Sequence, residues 1–189
     1  MAAMLWETTV PANEVYIEQI GSSSTLTITQ QGTDNKLGTS ISSAFIGGGS
    51  NTVTIDQIGS LNNAVVTVNG AATNLSLSVT GSQNTQEVSC GTIISASCSG
   101  STISQTITGD SNNVIQTLGA GANHISNITV LGNTNDVTHT STSTGATTAN
   151  ITVTGDTNTI GVTQGGTLAQ TVTVNSTGNN NNISINQSN

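Results

Sequence analysis

Two histidines, two cysteines and nine carboxylates are the residues of this chain with metal-binding or acid–base chemistry to offer. His124 and His139 lie 15 residues apart, and serines are abundant, so a Ser–His–Asp relay is the first chemistry to test. No Ser stands in the Gly-x-Ser-x-Gly spelling of a nucleophile elbow, and neither His lies near a marked acid. Both histidines are therefore expected to be ordinary strand residues, and the chain is expected not to be an enzyme. A zinc site would need closely spaced Cys and His ligands, and these four residues lack that spacing. Cys90 and Cys98 bracket the segment GTIISAS. They are a candidate disulfide, which over so short a loop contributes about 2–3 kcal/mol if unstrained; the bland reading is a pair of reduced, half-buried thiols. Asp34, Asp110 and Asp156 stand near turns, where Gly/Asp calcium sites occur in some β-helices. The full GGxGxD spelling is missing, and Asp is a turn residue through its own backbone hydrogen bonds. No metal and no cofactor is expected. Asn-x-Ser/Thr triplets, at Asn74 and Asn127 for example, are incidental in so Asn- and Thr-rich a chain.

If chemistry is thin, the elements are not. Aromatics make up 2% and charged residues 5% of the 189 residues, against about 25% charge in an ordinary soluble domain. One Trp, one Tyr and one Phe cannot build an aromatic core. Disordered chains combine low hydrophobicity with high net charge and many Pro. Here Pro occurs once, and Val, Ile, Leu and Thr alternate regularly with small polar residues. A repeat must supply the order that a globular core does not.

A nine-residue phrase recurs: Asn, any, apolar, any, apolar, any, Gln or apolar, any, Gly. It is clean at Asn13–Gln19–Gly21, Asn51–Gln57–Gly59 and Asn158–Gln164–Gly166, and returns at Asn181–Gln187. Period-two alternation is the strand period, and Gly with Asn or Ser is turn chemistry. Each phrase reads as one strand and one turn, roughly 11 residues. Turns of similar spelling recur at longer range, GTDN from Gly32, GSQN from Gly81, GNTN from Gly132 and GNNN from Gly178. They divide the chain into units near 13–61, 62–111, 112–157 and 158–189, the last cut short. Longer Gly/Ser/Thr-rich insertions around Gly38–Ser50, Gly91–Gly100 and Thr140–Thr147 fall at one place in each complete unit. The expected fold is all-β, a β-solenoid of about eight two-stranded rungs, roughly 38 Å long at the strand spacing. An N-terminal arm, residues 1–12, precedes the repeat domain at 13–189.

With Asn13, Val15, Ile17 and Gln19 facing inward, successive rungs stack Asn on Asn and Gln on Gln. Such ladders supply hydrogen bonds that a thin interior needs. The expected ladder residues are Asn13, Gln19, Asn51, Gln57, Asn158, Gln164, Asn181 and Gln187. The outer face carries Thr25, Thr27, Thr29, Thr52, Thr54, Thr171 and Thr173, interrupted by Glu14, Glu18, Asp56 and Gly161.

The stretches EVYIEQIGSSSTLTITQQGTDN and GGGSNTVTIDQIGSLNN, with Gln19, Gln31 and Gln57 and turn residues Gly21, Gly32 and Gly59, resemble the curlin repeat of bacterial curli fibres. The resemblance covers most of residues 13–189 and is sharp in about a third of it. Val68, Val79, Val130 and Cys90 stand where that family writes Gln. It implies a parallel solenoid, two strands per rung, that polymerises end to end into a surface matrix.

Partners follow from charge and edges. The net charge is −8 and Lys36 is the only Lys or Arg, so nucleic acid, whose binding needs several cations on phosphates, is excluded. So is an anionic membrane surface, and no apolar run reaches the ~18 residues of a membrane helix. The first residues, MAAMLWETTVPANE, lack a secretion signal's positive start and apolar core. The arm holds the only Trp, and Leu5, Trp6 and Val10 are candidate anchors for a neighbouring subunit. The last rung, NNNNISINQ, carries no charged cap, and an uncapped edge invites another strand. The expected function is a self-assembling structural subunit of an extracellular fibre, its partner a head-to-tail copy of itself. Two alternatives are a phage virion component, partnered by other virion proteins, and a solenoid that binds ice or a surface polymer.

Overall fold

A computed structural model describes residues 12–18, 25–38, 44–45, 47, 50–68, 73–90, 99–119 and 121–189. The arm anchors Leu5, Trp6 and Val10, the ladder residue Gln19 and Cys98 lie outside the described residues. So does the side chain of Cys90, which leaves the Cys90–Cys98 pair undescribed.

Alternation of apolar and small polar residues gives strands throughout. In chain order they are β1 (Glu14–Val15), β2 (Ile17–Glu18), β3 (Thr25–Thr33), β4 (Lys36–Leu37), β5 (Ala44–Phe45), β6 (Thr52–Ser60), β7 (Asn63–Val68), β8 (Asn74–Thr80) and β9 (Thr85–Cys90). They continue as β10 (Thr102–Thr108), β11 (Asn113–Leu118), β12 (Ile125–Leu131), β13 (Asp136–Ser141), β14 (Thr147–Thr154), β15 (Thr159–Gly165), β16 (Gln170–Thr177) and β17 (Asn182–Ser188). No described helix is long and apolar enough to cross a membrane.

The chain is a β-solenoid. From β5 onward consecutive strands go to opposite sheets, and every pairing is parallel. Sheet 1 runs β1-β4-β7-β9-β11-β13-β15-β17, with β2 and β5 alongside its first strands. Sheet 2 runs β3-β6-β8-β10-β12-β14-β16. Sheet 2 stacks seven strands and the main path of sheet 1 eight, so the rung count differs slightly from the eight expected.

Pairing is in register residue for residue. Val53, Leu75 and Ile103 stack in one inward column of sheet 2, and Ile55 and Leu77 in the next. The inward side chains of both sheets form two apolar clusters of Val, Ile, Leu and Ala. Among the described residues neither cluster contains Phe, Tyr or Trp, so aliphatic side chains fill the apolar interior.

The corner leading from sheet 2 to sheet 1 is the same four residues seven times, Gly-x-x-Asn. Its Gly has φ between 111° and 134°, and its third residue sits in the left-handed region at 57–61°. A Cβ on Gly81 would overlap the carbonyl oxygen of Gly109 one rung on, so stacking itself demands glycine there. The corner leading back to sheet 2 varies in length and spelling, and the three expected insertions fall at it.

Candidate functional site

The Gly-x-x-Asn corner positions the main polar feature of the molecule. Asn13, Asn35, Asn62, Asn84, Asn112, Asn135, Asn158 and Asn181 stand one above the other. Each Oδ1 accepts the backbone N–H of the next Asn along the stack at 2.9–3.2 Å. From Asn35 onward it also accepts that residue's Nδ2 at 2.9–3.1 Å. The second Nδ2 hydrogen of Asn35, Asn62, Asn84, Asn112 and Asn135 goes to the corner glycine carbonyl of the following rung at 2.7–2.9 Å. Only an amide of this length offers two donors and a doubly accepting oxygen. Aspartate would lose the donors and stack charge on charge.

Six of these asparagines are 0–1% exposed, while Asn13 and Asn181 at the two ends are half-buried. The stack has a direction: between successive asparagines every oxygen accepts from the C-terminal neighbour and every backbone N–H donates to the N-terminal one. Asn181 Oδ1 accepts from no described residue.

The other corner solves the same problem with different residue types. Asn51 Oδ1 accepts the backbone N–H of Thr73, Ser101 Oγ that of His124, and His124 Nδ1 that of Thr147. Asn51 therefore belongs to this corner and not to the stack of Asn13, although both begin the same nine-residue phrase. His124 lies in this corner, just before β12, and not within a strand as expected. Accepting from Thr147 fixes its proton on Nε2.

Glutamines pair without forming a continuous ladder. Gln30 donates to Gln57 at 3.1 Å, Gln105 to Gln116 at 3.0 Å and Gln164 to Gln187 at 3.2 Å. The intervening positions of these columns are largely apolar or small, as at Val79 beyond Gln57. His139, inward on β13, donates from Nε2 to Gln164 Oε1 at 3.1 Å and accepts from Ser126 Oγ at 2.8 Å. Burial pushes its pKa down to about 4, with the Gln164 bond opposing and nearby His124 adding to the shift. Burial lowers that of His124 too, against a backbone hydrogen bond to Gly121. The Ser126–His139 pair has the spacing of a nucleophile and its base, but both residues are 0% exposed, which closes the pair to any substrate.

The turn carboxylates are not brought together. Asp110 and Asp156 lie two rungs apart in one column, accepting the backbone N–H groups of Ser82 and Asn133 at 2.7 Å each. Asp34 occupies the third corner position, a different column. Among the described residues no three His, Cys, Asp or Glu form a metal-sized group.

No family model, curated protein or solved structure matches the chain. The polar stack and the two outer faces are therefore the ground for a functional reading.

Of those faces, sheet 2 carries the threonine rows expected from the sequence, while sheet 1 presents Thr117, Thr140 and Thr163 in one row. Thr25, Thr27 and Thr29 pair with Thr52, Thr54 and Asp56, and the rows continue to Thr171 and Thr173 on β16. Glu14, Glu18 and Gly161, expected to interrupt these rows, stand on sheet 1. The sequence alone could not separate the faces, because strands of both sheets share one period-two pattern.

Proposed function

We propose that this chain is a non-enzymatic structural protein, a subunit that stacks head to tail into an extracellular filament. The observation that carries the reading is the directional asparagine stack. It runs from Asn13 to Asn181, and among the described residues the acceptor Oδ1 of Asn181 receives no hydrogen bond. The edges agree with it. Among the described strands β17 and β16 are the outer members of their sheets, and Ile183 and Ile185 are only partly buried against the core. An exposed, in-register edge with no charge, Pro or bulge is a template for another strand. A heterologous contact of this kind builds an open filament when its rotation does not close a ring. The curlin-like spelling around Gln30–Asn35 and Gln57–Asn62 supports the same reading.

Negative-stain microscopy of the purified chain at neutral pH, before and after a day at rest, tests it. Unbranched filaments that lengthen with time are expected. Persistent monomers or closed trimers would overturn self-polymerisation.

A further inference from the structure

The outer face of sheet 2 is ordered in two dimensions. Its strands pair residue for residue with no stagger, so outward side chains form straight rows across β3, β6, β8, β10, β12, β14 and β16. In the central row every residue is Thr, Ser or Asn, from Thr27 through Ser76 and Asn127 to Thr173. The row before it departs from this set only at Ile125, and the row after it only at Asp56. Threonine supplies five positions of the first row, among them Thr52, Thr102 and Thr148.

Three further observations bear on what such a face meets. Charge is segregated: Asp56 is the only ionisable residue among the outward positions of sheet 2, whereas sheet 1 presents Glu14, Glu18, Lys36, Glu87 and Asp136. Among the described residues the threonine hydroxyls of the three rows make no hydrogen bond to the protein, and the side-chain bond within the rows joins Asn127 to Asn150 at 2.9 Å. Finally, the spacing is regular in both directions, about 4.8 Å between strands and about 6.6 Å between alternate residues of a strand.

A two-dimensional periodic face is complemented only by another periodic surface. Hydroxyl groups with methyl groups beside them can hold ordered water at hydrogen-bonding distance, and such water bridges cost little. A charged group would instead keep its own hydration shell and resist losing it. We propose that the outer face of sheet 2 binds ice. This requires no filament, since one copy carries the whole grid.

The test compares matched substitutions on the two faces. Thr106, Thr129 and Thr152 on sheet 2 have counterparts Thr117, Thr140 and Thr163 on sheet 1, outward on the very next strand of the chain. The triple variant T106K/T129K/T152K, the control T117K/T140K/T163K and the unaltered chain are each exposed to slowly growing ice. Protein in the ice and in the remaining liquid is measured, and circular dichroism follows folding. The single changes Thr129→Tyr and Thr140→Tyr replace the triples if three stacked lysines prevent folding. The unaltered chain and the sheet 1 variants are expected to enter the ice severalfold enriched and to shape its crystals. The sheet 2 variants are expected to stay in the liquid. Exclusion of the unaltered chain from ice, or equal loss in both variants, would overturn the proposal; so would binding to crystalline cellulose without binding to ice.

Discussion

The Oδ1 of Asn112 accepts two hydrogen bonds from Asn135, at 2.9 Å from its backbone N–H and 3.0 Å from its side-chain amide. Asn112 in turn donates to Asn84 and to the carbonyl of Gly132. One buried side chain thus ties together three rungs, and the interior depends on such ties because its apolar layer is thin.

Asn112→Ala strands the backbone N–H and one amide hydrogen of Asn135 and the carbonyl of Gly132 in a water-free corner, while the oxygen of Asn84 keeps the backbone N–H of residue 112. Each unsatisfied buried group costs about 1–3 kcal/mol, so a loss of about 3 kcal/mol or more is expected in urea unfolding. Asn181→Ala, at the half-buried end where no described residue donates to its oxygen, is expected to cost about 1 kcal/mol or less. Equal losses at the two positions would contradict the directional stack.

Corner glycines separate folding from stacking. Gly81→Ala places a methyl group on the carbonyl of Gly109 and is expected to abolish the folded state. At Gly178 the nearest atom to an added Cβ is Asn181 Nδ2 at 3.6 Å. Gly178→Ala therefore meets only the cost of its positive φ, about 1–3 kcal/mol. It is expected to leave a folded monomer that elongates filaments poorly, measured as a reduced seeded growth rate with an unchanged strand signal in circular dichroism.

Much of this architecture is legible in the residues themselves, and what is not has physical causes. Period-two alternation implies strands, and recurring Gly turns imply a solenoid. Four of the seven Gly-x-x-Asn corners stand out as a long-range repeat, at Gly32, Gly81, Gly132 and Gly178. GSLN, GDSN and GDTN, from Gly59, Gly109 and Gly155, are the same corner, hidden by their variable middle residues. Only all seven together put Asn35, Asn84 and Asn135 in the stack and separate Asn51 from it. The second corner is not legible, since Asn51, Ser101 and His124 share only a lone pair aimed at the next rung. Sheet assignment fails for Glu14, Glu18 and Gly161 for a similar reason: alternation says which residues face outward but not on which sheet.

The left-handed corner position offers a gain in stability. Thr134 and Thr157 hold φ of 57° and 60° there, a conformation that a β-branched residue tolerates poorly. Asn, which occupies the equivalent position as Asn180, is expected to relieve about 1 kcal/mol per site. Thr134→Asn should raise the unfolding midpoint, and an unchanged or lower midpoint would mean that the threonine methyl makes a compensating contact.

Acid should loosen the interior through His139. Its folded pKa of about 4 lies below the ordinary 6.5, so between these values the unfolded chain binds the proton more readily. The stability it contributes is complete above pH 6.5 and falls by about 1.4 kcal/mol per unit at most as pH drops toward 4. His124 shifts in the same direction. His139→Gln is expected to flatten the pH dependence of the urea midpoint over this window. A variant as acid-sensitive as the unaltered chain would place the titration elsewhere.

The central claim is that a filament of this protein is its own fold continued, with Asn13 of one copy stacked on Asn181 of the next. Helical reconstruction of filaments by electron cryomicroscopy tests it most directly. Strands about 4.8 Å apart along the axis are expected, unbroken across each junction, with one subunit every 36 Å or so for seven to eight rungs. Filaments whose subunits join side by side, or whose strand stack is interrupted at the junction, would contradict it.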